Sequence, residues 1–394
     1  VSNALNALSG IAITFFLTPY IVKTLGVEAY GFFPLTANLL NFAGIFTMAL
    51  NSMSGRYITI SLEQGNIKEV NVYFNSILWG NLALSMLFLL LGGVMIAVIQ
   101  WWLDIPMQLF VDVRLLFVLI LGSLCINVSS TIFSVSAFAL SRFDKQALIN
   151  ILGNLIRLGI ILVLFWAFVP RIYFLGIAAF MAAIYYAIQN YRLTKRLIPE
   201  IVIGRHFFSW TALGLLLSSG IWNSLTALSN VVNTQLDLFI ANRFFGASDM
   251  GMLSLTKLAP SLLQVLFGVI VPIFLPDLIK LYAKNDMGIL KKELDFSFKS
   301  IFIFALLPIS VFFVYGQEFF KLWVPAQDSR TLHLLSVITL TPFLIHATIE
   351  TVHNVFIVRD KIKVAAIWGM LIAMGNFVLT LTLCEFTVLG LYAI

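Results

Sequence analysis

Residues 215–241, LLLSSGIWNSLTALSNVVNTQLDLFIA, form an apolar segment that carries polar side chains at steps of three and four residues. The recurring positions are Ser219, Asn223, Thr226, Asn230, Asn233, Thr234 and Asp237. At about 100° per residue, such steps place side chains on one face of an α-helix. In hydrocarbon, amides, hydroxyls and a carboxylate need a polar partner or a water-filled cavity. The segment therefore predicts a membrane-spanning helix that lines a polar path.

The composition of the whole chain indicates a polytopic membrane protein. Its 394 residues are 60% hydrophobic and 11% charged, with a mean hydropathy of +0.99, whereas soluble domains carry about 25% charged residues. The formal net charge of +6 fits the enrichment of basic residues in cytoplasmic loops, so we expect no nucleic-acid partner. Cys125 and Cys384 lie in apolar segments without metal-ligand spacing, and we expect no metal and no cofactor.

Apolar windows of about twenty residues predict eleven membrane helices and the start of a twelfth. The predicted spans are residues 2–22, 30–54, 73–99, 114–140, 147–169, 172–191, 211–238, 250–275, 298–317, 332–357 and 363–384. Loops after the even-numbered helices hold sixteen Lys and Arg residues, and the opposite loops hold six. The positive-inside rule therefore predicts that the even-numbered loops and the N-terminus are cytoplasmic, in a multi-pass protein of the inner (plasma) membrane.

Short loop sequences recur in the same order in the two halves of the chain. The matched pairs are KTLGVEAYG (23–31) with RFFGASDMG (243–251), QWWLDIP (100–106) with KLWVPAQ (321–327), AFALSRFDK (137–145) with NVFIVRDK (354–361), and FLGIAAF (174–180) with VLGLYAI (388–394). Gly26 matches Gly246, and Gly31 matches Gly251. Helices 1–6 and 7–12 are therefore predicted to be two copies of one unit. An even number of crossings gives both copies the same orientation, so the relating axis runs along the membrane normal.

The predicted fold is an all-α polytopic membrane protein of two six-helix lobes, related by a pseudo-two-fold axis along the membrane normal, around a central cavity. Residues 1–191 form the N-terminal lobe (helices 1–6), 192–210 a cytoplasmic linker, and 211–394 the C-terminal lobe, which ends at the start of helix 12. Polar residues also collect in helices 1, 2 and 8, at Asn3, Asn6, Asn38, Asn41, Lys257, Ser261 and Gln264. These helices and helix 7 are expected to surround the cavity. Alternatively, the polar side chains join helices through hydrogen bonds of about 0.5–2 kcal/mol each.

Several loops carry a family resemblance that extends over the whole chain. LGVEAYG (25–31), the basic loop with Gly65, Asn66 and Glu69, SRFDK (141–145) and DLFIANRFFGASDMG (237–251) resemble polysaccharide-unit flippases of the multidrug/oligosaccharidyl-lipid/polysaccharide exporter (MOP) superfamily. The resemblance implies a two-lobed fold with alternating access. It also implies a polyprenyl-pyrophosphate-linked oligosaccharide that moves from the cytoplasmic to the outer leaflet for polysaccharide biosynthesis. Expected partners are this lipid, the membrane lipids and a polysaccharide polymerase.

A substrate of that kind requires amides and hydroxyls for the sugars and a cation for the phosphates. Lys257 is the candidate cation, and Asp237 is predicted at a similar depth on the neighbouring antiparallel helix. Lys257 either attracts pyrophosphate while Asp237 restrains it in the empty site, or the two form a permanent structural ion pair. Arg157 is either a second phosphate contact or the partner of a carboxylate. The predicted substrate-binding residues are Lys257, Asp237, Asn223, Asn230, Asn233, Thr226, Ser261, Gln264, Asn38, Asn41, Asn3, Asn6 and Arg157.

Helix 10 carries His346, Glu350 and His353 on one face, at steps of four and three. These residues predict either an ion-coupling site or a structural cluster inside the lobe. A membrane-embedded transferase would need an acidic or histidine constellation on a surface loop, which these loops lack, so we expect no enzyme. A multidrug exporter and a peptidoglycan lipid-precursor flippase of the same fold remain alternatives. The pairing of one acid with one base in the cavity, and a helix 1 without arginine, favour the oligosaccharide flippase.

Overall fold

The structure of the chain is a computed structural model that describes residues 2–283, 287–358, 362–387 and 390–393. Within those ranges it leaves out the side chains of residues 2–12, 39–40, 219, 223, 269, 272–273, 275–277, 279–280, 282–283, 346–358, 362, 365 and 393. The α-helices of the described ranges are α1 (Ser2–Leu25), α2 (Val27–Asn51), α3 (Ser54–Glu63), α4 (Ile67–Ala97), α5 (Ile99–Trp102), α6 (Phe110–Ser130), α7 (Val135–Ala139), α8 (Phe143–Ala167), α9 (Tyr173–Leu197), α10 (Trp210–Gln235), α11 (Asp237–Phe245), α12 (Ala247–Thr256), α13 (Leu258–Ala283), α14 (Met287–Trp323), α15 (Ser329–Val358) and α16 (Ile362–Phe386). Single 3₁₀ turns lie at Met107–Leu109, Thr131–Ser134, Arg205–Phe207 and Gly390–Ala393.

Each of the eleven predicted membrane segments coincides with one or more of these helices. In the described part of the chain, eight helical stretches are long and apolar enough to cross a membrane. A ninth is added when Trp210–Ser218 and Gly220–Phe245, which meet at a bend of 44°, count as one span. A helix keeps its backbone hydrogen bonds within itself, as hydrocarbon requires. The predicted all-α polytopic class is confirmed.

Five of the predicted spans are interrupted in the structure, and one of them, 73–99, breaks at Val98 near its end. The span 30–54 stops at Asn51 and resumes as α3, and the span 114–140 contains the turn Thr131–Ser134. The span 211–238 breaks at Leu236, and the span 250–275 breaks at Lys257. Hydropathy averaged over about twenty residues does not register a break of one or two residues. The last two breaks flank the α11–α12 segment, ten residues before and eleven residues after Gly246.

By its internal contacts the chain divides into two units. The first contains residues 1–14 and 32–239, and the second contains residues 15–31 and 240–394. These bounds differ from the predicted lobes, because α10 groups with the first unit and the segment 15–31 groups with the second. The predicted boundaries between residues 191 and 211 remain a prediction.

In the first unit, side-chain amides of α4 hold the segment that was predicted to be an interlobe linker. The Asn71 Nδ2 group donates to the carbonyl of Glu200 (3.1 Å), and its Oδ1 accepts from the N–H of Val202 (2.7 Å). One helical turn later, Asn75 Nδ2 donates to the carbonyl of Val202 (2.8 Å) and Oδ1 accepts from the N–H of Gly204 (2.9 Å). These bonds satisfy the backbone of an extended segment that pairs with no strand among the described residues. The segment is therefore a fixed part of the first unit.

The four hydrogen bonds of Asn71 and Asn75 form a clamp between α4 and the segment after α9. The apolar core beside this clamp positions α10. Ile58 of α3, Phe74 of α4 and Leu216 of α10 are fully buried in one cluster. Helices α3 and α4 meet through a tight turn, in which Gly65 has a φ of +70° and Asn66 Oδ1 accepts from the N–H of Glu69 (3.2 Å). This N-terminal cap fixes the start of α4.

In the second unit, the two matched glycine loops meet. Gly26 and Gly246 have φ values of +86° and +89°, a region that glycine enters without steric cost. A Cβ atom built on Gly31 would lie 2.8 Å from the Cα of Gly251. The equal backbone conformation at equivalent positions agrees with the predicted repeat. The core of this unit lies between α13, α14 and α15, around Phe267, Ile301 and Leu340.

Candidate functional site

Helix α10 carries most of the predicted polar strip. Thr226 and Asn233 are half-buried, and Asn230 is exposed. The hydroxyls of Thr226 and Thr234 donate to carbonyls four residues earlier in the same helix, those of Trp222 (3.1 Å) and Asn230 (2.8 Å). Such local bonds are common for threonine in helices. The hydroxyl donors are therefore used inside α10, and the Thr234 oxygen also accepts a hydrogen bond from Gln235 Nε2 (3.1 Å).

The side-chain amides of Asn230 and Asn233 differ from these hydroxyls. Neither amide forms a hydrogen bond with any residue that the structure describes. Each offers two donors and one acceptor oxygen. Ser224 and Ser229, in the same helix, are buried. In a membrane span, amides that lack a partner among the described residues require water or another polar group, so this face of α10 can bind a polar ligand.

The break at Leu236 has a specific partner. Helix α10 ends at Gln235, and α11 begins at Asp237. Asn38 of α2 donates through Nδ2 to the carbonyl of Gln235 (3.0 Å). Carbonyls at a helix end lose their intrahelical partners, so Asn38 stabilises the interruption. Its predicted contact with substrate remains a prediction.

The two predicted charges of the site lie at helix ends of opposite polarity. Asp237 is the first residue of α11, and Lys257 is the residue that caps the C-terminal end of α12. A helix N-terminus carries a partial positive charge and a C-terminus a partial negative charge. Each side chain therefore lies at a helix end whose partial charge is opposite in sign to its own charge. Asp237 belongs to the first unit and Lys257 to the second, and their pairing remains a prediction.

Three further predicted residues lie at exposed positions of membrane helices. Ser261 and Gln264 of α13 and Asn41 of α2 are exposed. Ser261 Oγ lies within hydrogen-bonding distance of the carbonyls of Lys257 (2.9 Å) and Leu258 (2.7 Å). The side chains of Asn41 and Gln264 form no hydrogen bond with a described residue. Their contacts with substrate remain predictions.

Several predicted residues have side chains outside the described residues. They are Asn3 and Asn6 in α1, Ser219 and Asn223 in α10, and His346, Glu350 and His353 in α15. The ion-coupling site and the N-terminal part of the polar strip therefore remain predictions.

The sequence prediction named only Arg157 from a polar set on α8 and α9. The Gln146 Nε2 group of α8 donates to Asn150 Oδ1 (3.3 Å). Tyr186 of α9 has its hydroxyl 3.3 Å from the carbonyl of Asn150 and 3.3 Å from Asn154 Oδ1. The Arg157 guanidinium carbon lies 5.3 Å from the centroid of the Phe33 ring. The signal for this set was the spacing of positions 146, 150, 154 and 157, at steps of four, four and three.

Comparison with known sequences gives one informative relative. No family model matches the chain. The chain is 28% identical over 403 residues to the uncharacterized membrane protein EpsK of Bacillus subtilis (strain 168), covering 100% of this chain and 78% of that protein.

Comparison with solved structures identifies the fold. The chain is similar to a multidrug resistance MATE family transporter of the MOP superfamily in its inward-facing conformation, with a TM-score of 0.81, 12% identity, and coverage of 100% of this chain and 89% of that one. Its TM-score is 0.67 with the Vibrio cholerae MATE transporter VcmN (14% identity, 100% and 90% coverage). The TM-score is 0.66 with a MOP superfamily transporter from Pyrococcus furiosus (12% identity, coverage of 100% of this chain and 89% of that one). The chain has the MATE-type fold of that superfamily, and the resemblance seen in its loops is confirmed for the fold.

Proposed function

We propose that this chain, which has the fold of the MOP superfamily, is a transporter that flips a polyprenyl-pyrophosphate-linked oligosaccharide from the cytoplasmic to the outer leaflet. It acts by alternating access in the inner membrane, with a cytoplasmic N-terminus, and supplies repeat units for polysaccharide biosynthesis. The protein is proposed to act as a transporter and not as an enzyme. A polysaccharide polymerase on the outer side is the proposed downstream partner.

The observation that carries the proposal is the pair of amides on α10. Asn230 and Asn233 have no hydrogen-bonding partner among the described residues, although they lie in a helix of a membrane protein. A sugar presents many hydroxyls, each of which is both a donor and an acceptor, as an amide is. Amides therefore match a glycan better than they match an organic cation, which would be held by carboxylates or aromatic faces.

Interrupted membrane helices are a second feature that supports a transport site. Transporters commonly bind their substrates where membrane helices are interrupted, because free backbone groups and helix ends face the substrate there. Leu236 directly precedes Asp237 in the chain, and Lys257 is itself a residue of the predicted site. Lys257 supplies a positive charge for a phosphate, and Asp237 is proposed to restrain that charge when no substrate is bound.

A second candidate function is multidrug export. It is favoured by the fold neighbours, one of which is described as a multidrug resistance MATE family transporter. A flippase for the peptidoglycan lipid precursor, with the same fold, is a further alternative. The relative from Bacillus subtilis, described as an uncharacterized membrane protein, does not separate these candidates.

The deciding experiment measures flipping of a fluorescent polyprenyl-pyrophosphate oligosaccharide in proteoliposomes that contain the full-length protein. The variant Asn230→Leu/Asn233→Leu is expected to lower the initial rate by about tenfold or more, equivalent to about 1.4 kcal/mol. Lys257→Gln is expected to lower it as well. Asn127→Leu is the matched control, because Asn127 is also an exposed asparagine of a membrane helix in the first unit.

A parallel assay follows uptake of a fluorescent organic cation into the same vesicles. If the wild-type protein moves the cation and none of several lipid-linked oligosaccharides, the flippase proposal is wrong and multidrug export replaces it. If flipping occurs and the double variant flips as fast as the wild type, α10 does not bind the sugar.

A further inference from the structure

Helices α8 and α9 of the first unit enclose a polar track that leads to an intramembrane arginine. Gln146, Asn150, Asn154 and Arg157 fall on one face of α8, because their spacing follows the helical repeat. Across from them, Tyr186 has its hydroxyl 3.3 Å from both the carbonyl of Asn150 and the Oδ1 of Asn154. The track begins near Phe143, at the end of α8 that the charge distribution predicts to be cytoplasmic. Arg157 lies about 21 Å from that end at 1.5 Å per residue.

Gly153 of α8 leaves room for the ring of Tyr186. A Cβ atom on Gly153 would lie between 2.1 and 2.5 Å from three atoms of Tyr186. The phenol ring therefore occupies the volume that any other residue at position 153 would fill. This close approach brings the Tyr186 hydroxyl onto the polar face of α8.

Arg157 lacks the partners that an intramembrane guanidinium normally has. No carboxylate of the described residues lies within ion-pair distance of it, and it forms no hydrogen bond with them. Its guanidinium group lies over the face of the Phe33 ring. The nearest carboxylate along α8, that of Asp144, is bonded to Arg142 at 3.1 Å through each oxygen. A guanidinium has five donors and remains charged, so its position inside a membrane protein calls for an anion.

Two acceptors along the track are also unsatisfied. Gln146 Oε1 and Asn190 Oδ1 are buried and have no hydrogen-bonding partner among the residues that the structure describes. Asn190 lies one helical turn beyond Tyr186, toward the same end of the unit as Gln146. Buried acceptors of this kind are normally satisfied by ordered water or by a ligand hydroxyl. The track therefore has the chemistry of a hydrated route to Arg157.

We propose that the α8–α9 track is a binding site for a phosphate or pyrophosphate group, with Arg157 as its cation and Asn150, Asn154 and Tyr186 as polar contacts along the approach. The planar guanidinium forms paired hydrogen bonds to two oxygens of a phosphate, a geometry that lysine does not offer. The assignment of this anion to the transported lipid rests on the proposed function. The anion site itself does not.

The test measures thermal unfolding of the full chain in nanodiscs of zwitterionic phosphatidylcholine, with and without millimolar sodium pyrophosphate at constant ionic strength. The wild-type protein is expected to gain stability with increasing pyrophosphate, and Arg157→Gln to raise the apparent dissociation constant by about tenfold or more. Arg205→Gln is the matched control, because Arg205 also lies over an aromatic ring of the first unit, that of Trp79 at 4.8 Å. Its response should equal that of the wild type.

A second measurement keeps the test decisive if Arg157→Gln does not fold. Asn154→Cys, in a chain whose Cys125 and Cys384 are replaced by alanine, is labelled with an anionic thiol reagent. Pyrophosphate is expected to slow this labelling, and sodium chloride of equal ionic strength is not. The proposal is overturned if pyrophosphate neither stabilises the protein nor protects the thiol, or if Arg157→Gln responds as the wild type does.

Nanodiscs with an anionic phospholipid distinguish the sources of the phosphate. If phosphatidylglycerol protects the thiol and removes the pyrophosphate response, the site takes a lipid headgroup. If the response persists in phosphatidylglycerol, the site prefers the pyrophosphate group. Either result supports an anion site at Arg157, whether or not the protein flips an oligosaccharide lipid.

Discussion

Gly31 and Gly251 form a backbone-to-backbone contact in the second unit. A Cβ atom on Gly31 would lie 2.8 Å from the Cα of Gly251, and one on Gly251 would lie 2.3 Å from the carbonyl oxygen of Val27. These two glycines are equivalent positions of the repeat that the sequence predicts. The contact therefore explains why both copies of the loop keep a glycine at this place, where any side chain would separate the two segments.

Gly251→Ala is expected to lower the free energy of unfolding by about 1–3 kcal/mol, because the obstacle is rigid backbone that cannot rotate away. The measurement is the thermal unfolding midpoint of the purified protein in detergent. Gly93→Ala is the control, since a Cβ atom at Gly93 of α4 would meet no atom within 4 Å. Equal midpoints for Gly251→Ala and Gly93→Ala would contradict a tight contact.

The clamp between α4 and the segment after α9 yields a second prediction. Asn75 is fully buried, and its removal in Asn75→Ala leaves the Val202 carbonyl and the Gly204 N–H without their recorded partner. The loss of a hydrogen bond of this kind costs about 0.5–1.5 kcal/mol. We expect a lower unfolding midpoint and faster tryptic cleavage at Arg205. Asn127→Ala, at an exposed asparagine, should change neither, and an unchanged cleavage rate in Asn75→Ala would show that the clamp does not hold the segment.

The membrane helices could be predicted from the sequence because each is an apolar run of sufficient length. Their interruptions could not. Leu236 and Lys257 break helices in stretches whose hydropathy is continuous, and one recorded cause is a distant residue: Asn38 binds the carbonyl of Gln235. A partner nearly two hundred positions away is not visible in a window of about twenty residues.

In the candidate site, too, the sequence predicts some features and not others. The polar face of α10 could be predicted from spacing, and so could the track on α8, since 146, 150, 154 and 157 also follow the helical repeat. Spacing does not reveal whether an amide binds a neighbour or a ligand. Asn71 and Asn75 resemble the site asparagines in sequence, yet they bind the backbone of the clamped segment, whereas Asn230 and Asn233 have no such partner among the described residues.

A third prediction concerns the ion pair between α6 and the turn before α9. Arg171 NH1 lies 3.3 Å from each carboxylate oxygen of Asp112, and the Asp112 side chain is 11% exposed while that of Arg171 is 52% exposed. Exposed pairs contribute about 0.2–1 kcal/mol, and fully buried pairs are far more costly to break. We expect a coupling energy of about 1 kcal/mol between Asp112→Asn and Arg171→Gln in a double-mutant cycle of unfolding. Strictly additive effects on the free energy of unfolding would show that the two side chains do not stabilise the protein through their interaction.

A fourth prediction concerns acid stability at the start of α15. The Asp328 carboxylate accepts hydrogen bonds from the Thr331 hydroxyl and the N–H of Arg330, and these bonds lower the pKa of Asp328. Because the folded pKa lies below the ordinary value of about 3.9, this contribution is present above about pH 4 and is lost as the pH falls through the lowered value. Asp328→Asn keeps an acceptor but does not titrate there. The advantage of the wild type in unfolding midpoint should therefore shrink on acidification, and a difference that grows instead would contradict the assignment.

The last prediction separates the two possible roles of Asn38. If its main role is to hold the break by donating to the Gln235 carbonyl (3.0 Å), Asn38→Ala should lower the free energy of unfolding by about 1 kcal/mol and reduce the maximal flipping rate. Asn41→Ala, three residues later on α2 at an exposed position, should leave the unfolding midpoint unchanged. If Asn38 instead acts mainly as a sugar contact, Asn38→Ala should raise the lipid concentration needed for half-maximal flipping without changing the midpoint. Measuring the midpoint and the concentration dependence on the same variant therefore assigns the residue to the helix break or to the substrate.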